Sequence, residues 1–177
     1  METLKNIETR RSIRAFSDKP VGKNEIEGMV RAAALAPSWK NSQTARFTAV
    51  TDKELLSSIC DTLIDWNKKI VSGASLLIAV SAVTGRAGFN KDGSPASVYG
   101  EGYTFFDCGA AVENLCLAAN DMGIGTVILG IFDPDKIRAL LEIPEGEAPV
   151  VLIACGYKAE TPLEPKRRPI EEILRVI

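Results

Sequence analysis

Arg10, Arg11, Ser12 and Arg14 stand together in the run RRSIR near the start of the chain. Guanidinium forks grip phosphate oxygens bidentately and a serine hydroxyl adds one more bond, so this set suits an anion, a phosphate above all. A solvated basic patch accounts for the same residues. A second cationic run, KRRP (Lys166 to Pro169), lies near the other end. The two can serve one phosphate only if the fold brings the termini together. Between them, PSWKNSQ (Pro37 to Gln43) offers hydroxyl and amide groups able to meet the edge of a planar heterocycle; a capping loop uses the same residues. GIGTVILG (Gly123 to Gly130) lacks the G-x-G-x-x-G fingerprint of a dinucleotide fold. G-x-x-x-x-G-K-[ST] is also missing, which sets aside ATP and GTP hydrolysis.

Composition narrows the chemistry further. There is no histidine, so Ser-His-Asp and Cys-His catalysis, histidine acid–base work and most zinc sites fall away, and no metal is expected. What remains is a cofactor, carboxylates, lysine and arginine. Cys60, Cys108, Cys116 and Cys155 form no C-x-x-C pair and read as reduced, buried thiols. A net charge of −2 and a pI near 5.3 argue against a general nucleic-acid binder. The start METLKNIETRR has no apolar core of a signal peptide, and Ser75 to Val83 is too short to span a bilayer. A cytoplasmic protein with no membrane and no nucleic-acid partner is the expectation.

The elements that must position these residues read as one domain over residues 1–177, with no repeat or linker. Thr3 to Thr9 suits a short helix, and Glu25 to Leu35 has helical spacing with Ile26, Val30, Ala33 and Ala34 on one side, ending before Pro37. Ala45 to Val50 alternates like a strand, Lys53 to Lys69 reads as one helix, and Leu76 to Val83 is an apolar, buried strand. Thr84 to Tyr103 is a glycine-rich stretch without periodicity, either a lid or disordered. Phe106 to Gly123 is the strongest helix; small and apolar almost all round, it is a central core helix or part of a dimer interface. Thr126 to Leu129 and Pro149 to Tyr157 read as strands, and DPDKIRALL as a helix capped by Asp133 with Pro134 at its first position. The tail ends in IEEILRVI, apolar on one face and suited to docking on a second subunit.

Taken in order, RRSIRAF, APSWKNSQTARF, DCGAAVENLCLAANDMGIGTVILGIF and KRRPIEEIL resemble the nitroreductase family of FMN-dependent oxidoreductases, in its compact single-domain branch. The resemblance covers nearly the whole chain. It implies an α+β fold, an α/β/α sandwich with a central mixed, mainly antiparallel sheet, and an intertwined homodimer. One FMN per subunit would sit at the interface, with NADH or NADPH as electron donor and a small-molecule acceptor such as a nitroaromatic or quinone. By the same resemblance, Arg10, Arg11 and Ser12 contact the FMN phosphate and ribityl chain, and Lys166 and Arg168 complete the phosphate site. Arg14 reaches the N1/O2 edge of the flavin, where a permanent cation stabilises the charge of the reduced ring and raises its potential. Pro37, Ser38, Trp39 and Asn41 come from the partner subunit. Asn67 meets the pyrimidine side, and Leu129, Gly130 and Ile131 offer backbone to N5 and O4. Two departures bear on the acceptor: Trp39 stands where the family often has a small residue, and Gln43-Thr44-Ala45 where it often has Q-P-W. Tyr99, Tyr103, Phe105 and Phe106 are candidates for a wall over the flavin, with core aromatics as the other reading of the two phenylalanines. Dehalogenation, flavin fragmentation, metabolite dehydrogenation or flavin binding without turnover are alternatives on the same scaffold.

Overall fold

A computed structural model describes residues 2–177. Four strands, β1 (Ala45–Val50), β2 (Leu76–Val83), β3 (Ile124–Leu129) and β4 (Glu147–Tyr157), form a sheet in the order β1-β2-β4-β3. Each neighbouring pair is antiparallel. Among the described residues, parallel pairing is confined to a single bridge between Ser12 and Thr126 on β3.

Period-two alternation sends successive strand residues to opposite faces, and here both faces are apolar. Leu77 and Ala79 of β2, Val127 and Leu129 of β3, and Leu152 and Ala154 of β4 pack under three helices: α3 (Lys53–Cys60), α4 (Asp65–Ser72) and α6 (Pro134–Leu140). Leu76, Ile78, Val80, Ile124, Ile153 and Cys155 face the other layer, α2 (Lys23–Ala34) and α5 (Gly102–Asp121). The result is helices on both sides of a sheet, the three-layer arrangement that the alternation and the helical periods call for. A short first helix, α1 (Thr3–Thr9), is tied to α5 by the Asn6 amide, which donates to the Leu117 carbonyl at 2.9 Å. The last helix, α7 (Ile170–Ile173), has no buried residue.

Three elements differ from their sequence reading. The expected helix Lys53 to Lys69 is two, because Leu63 turns into the core between α3 and α4 and Ile64 is extended. The α5 helix begins at Gly102 rather than Phe106; glycines in its first turn and just before it conceal that start. The stretch before it is a folded loop. Phe89 bridges Pro95, the Asn90 N–H donates to the Ser94 carbonyl at 2.8 Å, and Asp92 accepts from the Ser94 N–H at 3.0 Å. Gly88 closes this loop at φ 83, where an added Cβ would stand 2.0 Å from the Gly100 carbonyl oxygen. Only glycine fits there.

Candidate functional site

The RRSIRAF segment crosses the sheet where β3 begins and β4 ends. Its backbone is sewn down: the Ile13 N–H donates to Thr126 at 3.0 Å, Ser17 to Tyr157 at 2.8 Å, and the Ala159 N–H to Ala15 at 3.0 Å. Two glycines make the crossing possible. A Cβ on Gly125 would lie 2.7 Å from the Ile13 Cβ, and one on Gly156 would lie 2.9 Å from the Phe16 Cβ. Ile13 is consequently 2 % exposed, a burial that contributes about 2 kcal/mol. With Ile13 turned inward, the polar residues on either side of it stay at the surface.

Arg10, Arg11, Ser12 and Arg14 line one cavity of about 300 Å³. Arg10 pairs with Glu113 of α5 at 3.2 Å and Arg11 with Glu164 at 3.4 Å. These carboxylates orient the guanidiniums but are solvent-exposed, so they compete weakly with a dianion. The Arg14 and Ala15 N–H groups both donate to the Glu160 carboxylate, which sets the direction in which Arg14 leaves the backbone. From the far end of the chain, the cavity is lined by Pro162, Leu163, Pro165 and Arg167. Of the KRRP run it is therefore Arg167 that joins the N-terminal arginines. Lys166 and Arg168 do not line the cavity, and Arg168 pairs instead with Glu172 at 3.3 Å. Pro162, Pro165 and Pro169 favour an extended chain here, in which Lys166, Arg167 and Arg168 leave the backbone in different directions.

Thr126, bridged by Ser12, and Gly130 lie on one run of chain, a span of about 13 Å at the rise of a strand. Leu129 turns its side chain into the core, leaving only its backbone for a ligand. Gly130 and Ile131 follow the last paired residue of β3; a Cβ on Gly130 would meet nothing within 4 Å, and Ile131 is 64 % exposed. Asn67, buried in α4, donates from its amide to the Ile131 carbonyl at 2.9 Å. A cationic cavity at one end of this run and open backbone at the other suit a molecule with a phosphate on one side and a flat, hydrogen-bonding ring on the other. FMN has that form, and the residues present fit it.

The Pro37–Gln43 loop is elsewhere, at the start of α5 and against α2. Pro37, Ser38 and Asn41 line a second cavity of about 460 Å³, which shares no lining residue with the arginine cavity. Lys40, Asn41 and Gln43 hold φ of 45, 56 and 48, left-handed values that side chains rarely adopt. The loop is kept so by Asp107, a buried carboxylate in α5. It accepts from the Trp39 N–H at 2.9 Å and the Ser42 hydroxyl at 3.2 Å, while the Ser38 hydroxyl accepts from the Gln43 N–H at 3.0 Å. The Trp39 ring lies 4.2 Å from Tyr103, with Tyr99 and Phe106 edge-on to Tyr103 at 6.3 and 6.5 Å. Of the aromatics expected as a wall, Tyr103 thus packs on Trp39, and Tyr99 and Phe106 gather on Tyr103. Phe105 and Phe106 are both exposed, so neither is a core aromatic.

Asp107, Glu160 and Asn120 escaped the sequence reading. Asn120 accepts from the Lys158 ammonium at 2.6 Å and donates to the Asn6 carboxamide at 2.7 Å, tying α1 and the strip to α5. Burial pushes the Lys158 ammonium below its ordinary pKa. Polar residues inside the apolar pattern of α5 were the available signal for Asp107 and Asn120; nothing local marks Glu160. The four cysteines are buried and take no part: desolvation pushes Cys108 up to about 11 and Cys155 well above its ordinary value.

The geometry agrees with the comparisons to known proteins. A profile of the nitroreductase family matches residues 7–157, and the chain belongs to that family. It is 36 % identical over 160 residues to an Archaeoglobus fulgidus protein provisionally named NADH dehydrogenase/NAD(P)H nitroreductase, covering 88 % of this chain and 85 % of that one. The crystal structure of a nitroreductase family protein from Streptococcus pneumoniae superposes with a TM-score of 0.88 at 27 % identity, over 99 % of this chain and 100 % of the other. A provisionally named nitroreductase from Desulfovibrio desulfuricans, crystallised with FMN, does so with a TM-score of 0.79 at 28 % identity, over 98 % and 95 %.

Proposed function

We propose that the chain is one FMN-binding domain acting as an oxidoreductase. It would move a hydride from NADH or NADPH to a nitroaromatic, quinone or similar conjugated acceptor in a ping-pong cycle. The observation that carries this reading is convergence on β3: RRSIR meets its beginning, and Asn67 holds the backbone just beyond its end. The FMN complex of the Desulfovibrio relative and the name of the Archaeoglobus relative support the same chemistry.

When bound, FMN supplies two-electron hydride transfer, so no protein nucleophile is needed. Arg10, Arg11, Ser12 and Arg167 bind the phosphate. Gly130 and Ile131 offer backbone N–H groups to the ring edge, and Asn67 keeps that backbone in place. Arg14, which lines the same cavity, would reach from there toward the N1/O2 edge of the ring and stabilise the charge of the reduced flavin. Pro37, Ser38 and Asn41 line a cavity apart from these within one chain, and Trp39 lines the one beside it. A homodimer in which each subunit lends this loop to the other's site would unite the halves, with one FMN per subunit. The exposed apolar residues of the tail, Leu174, Val176 and Ile177, and Phe105 and Phe106 on α5, are surfaces that such a dimer would cover.

Purified protein should be yellow, sediment as a dimer and release FMN on denaturation. Anaerobic mixing with NADH or NADPH should bleach it. Colourless protein that takes up no FMN would overturn the proposal, and bound FMN that neither donor bleaches would restrict it to flavin binding. Arg14→Ala should lower the flavin potential; an unchanged potential would remove the role given to Arg14.

A further inference from the structure

Between the Pro37–Gln43 loop and the loop leading to α5 lies a cavity of about 350 Å³. Its walls carry Lys40, Arg86 and Lys91, the rings of Trp39 and Phe89, and the amide of Asn90. No carboxylate lines it, although the chain has 23 acidic residues against 21 basic ones. Among the described residues, ion pairs engage Arg10, Arg11, Lys23, Lys68, Lys136 and Arg168, and none of these three cations. Three acids lie close by without lining it: Asp107 accepts from Trp39 and Ser42, Asp92 from Ser94 and Glu101 from the Gly85 N–H. Lys40 is turned toward the indole by its left-handed backbone, its ammonium 5.6 Å from the ring centroid. Arg86 also lines the cavity of the Pro37–Gln43 loop and so connects the two. The carboxylates of Asp107 and Glu101 therefore sit one hydrogen bond away from the lining, while the cavity itself presents three cations and two aromatic residues to an incoming anion.

We propose that Lys40, Arg86 and Lys91 select a small molecule that joins a flat conjugated ring to an anionic group, a carboxylate or a phosphate. The ring lies against Trp39 and Phe89 and the anion among the three cations. This rests on the reading above, in which the loop carrying Trp39 is lent to the FMN site that serves donor and acceptor. One anion chemistry has two sources here: a carboxylate on the acceptor, or the extra phosphate that distinguishes NADPH from NADH.

The test uses the FMN-loaded protein and two matched ratios of kcat/KM: para-nitrobenzoate against its methyl ester, and NADPH against NADH. Arg86→Ala and Lys91→Ala should lower one ratio by about tenfold, the loss expected for one charge-assisted contact. In the unaltered protein the same ratio should fall as salt is raised, an arm that depends on no variant folding. A fall in the nitrobenzoate ratio assigns the anion to the acceptor, and a fall in the NADPH ratio assigns it to the donor. Both ratios steady within about twofold, in variants and in salt, with FMN and turnover retained, would overturn the proposal alone. Unaltered protein that takes up no FMN would overturn the underlying reading, and this proposal with it.

Discussion

The RRSIRAF strip and the Pro37–Gln43 loop are held in opposite ways. The strip is fixed by backbone fit: Ile13 and Phe16 sit where Gly125 and Gly156 leave no side chain, and main-chain hydrogen bonds run to β3 and β4. The loop has three residues in left-handed conformation and depends on one buried carboxylate, Asp107, for its hold on α5. The first arrangement is rigid because its alternatives clash. The second is held against strain by a few polar bonds, which makes it the part able to adjust when a ligand arrives.

Ile13→Ala should have the largest effect, removing the anchor of the strip and costing about 3 kcal/mol of stability in urea unfolding. FMN uptake should weaken with it, because Ser12 and Arg14 flank that anchor. A loss below about 1 kcal/mol would show that the strip is not held by this contact. Gly125→Ala should cost about 2 kcal/mol, since its Cβ must displace Ile13. Its loss and that of Ile13→Ala should fail to add, because they share one contact. Asp107→Ala should cost about 1.5 kcal/mol, and its effect should add to that of Ile13→Ala. Its distinctive signature is faster tryptic cleavage after Lys40. Unchanged cleavage would mean that the loop is held by something other than Asp107.

The smallest expected effect concerns pH. The Tyr157 hydroxyl and the Gly22 N–H hold the Glu25 carboxyl below its ordinary pKa. A depressed carboxylate contributes stability above its unfolded-state pKa of 4.5 and loses it as pH falls through the lower folded value. Tyr157 also accepts from Ser17 at the end of the strip. Unfolding curves between pH 5 and 3 should therefore be flatter for Glu25→Gln than for the unaltered chain, by a small margin. Parallel curves would detach Glu25 from the strip.

The sheet strands and the α6 cap at Asp133 were legible, because each depends on period and capping within a few residues, whereas the face of α2 was legible only in part: Met29 is its most buried residue and Ala34 is exposed. The strip's polar residues were legible as an anion set for a similar reason: guanidinium and hydroxyl groups at close spacing define their chemistry wherever they stand. What was not legible lies between distant residues. Asp107 reads as a flaw in an apolar helix until Trp39 and Ser42 meet it, and Glu160 has no meaning until Arg14 and Ala15 donate to it.

The sequence by itself determined the alternation that makes a two-faced sheet, the helices that cover it, the absence of histidine chemistry and the cationic runs at both ends. Tertiary structure alone decided that Arg167, rather than Lys166 or Arg168, joins Arg10, Arg11 and Arg14, because the direction of an extended tail is set by where it lies. It alone decided that Lys40, Arg86 and Lys91 line one cavity with Trp39 and Phe89. Local pattern follows from interactions within a few bonds of chain. Convergence of residues far apart is set by the packing of whole elements, which no short stretch of sequence contains.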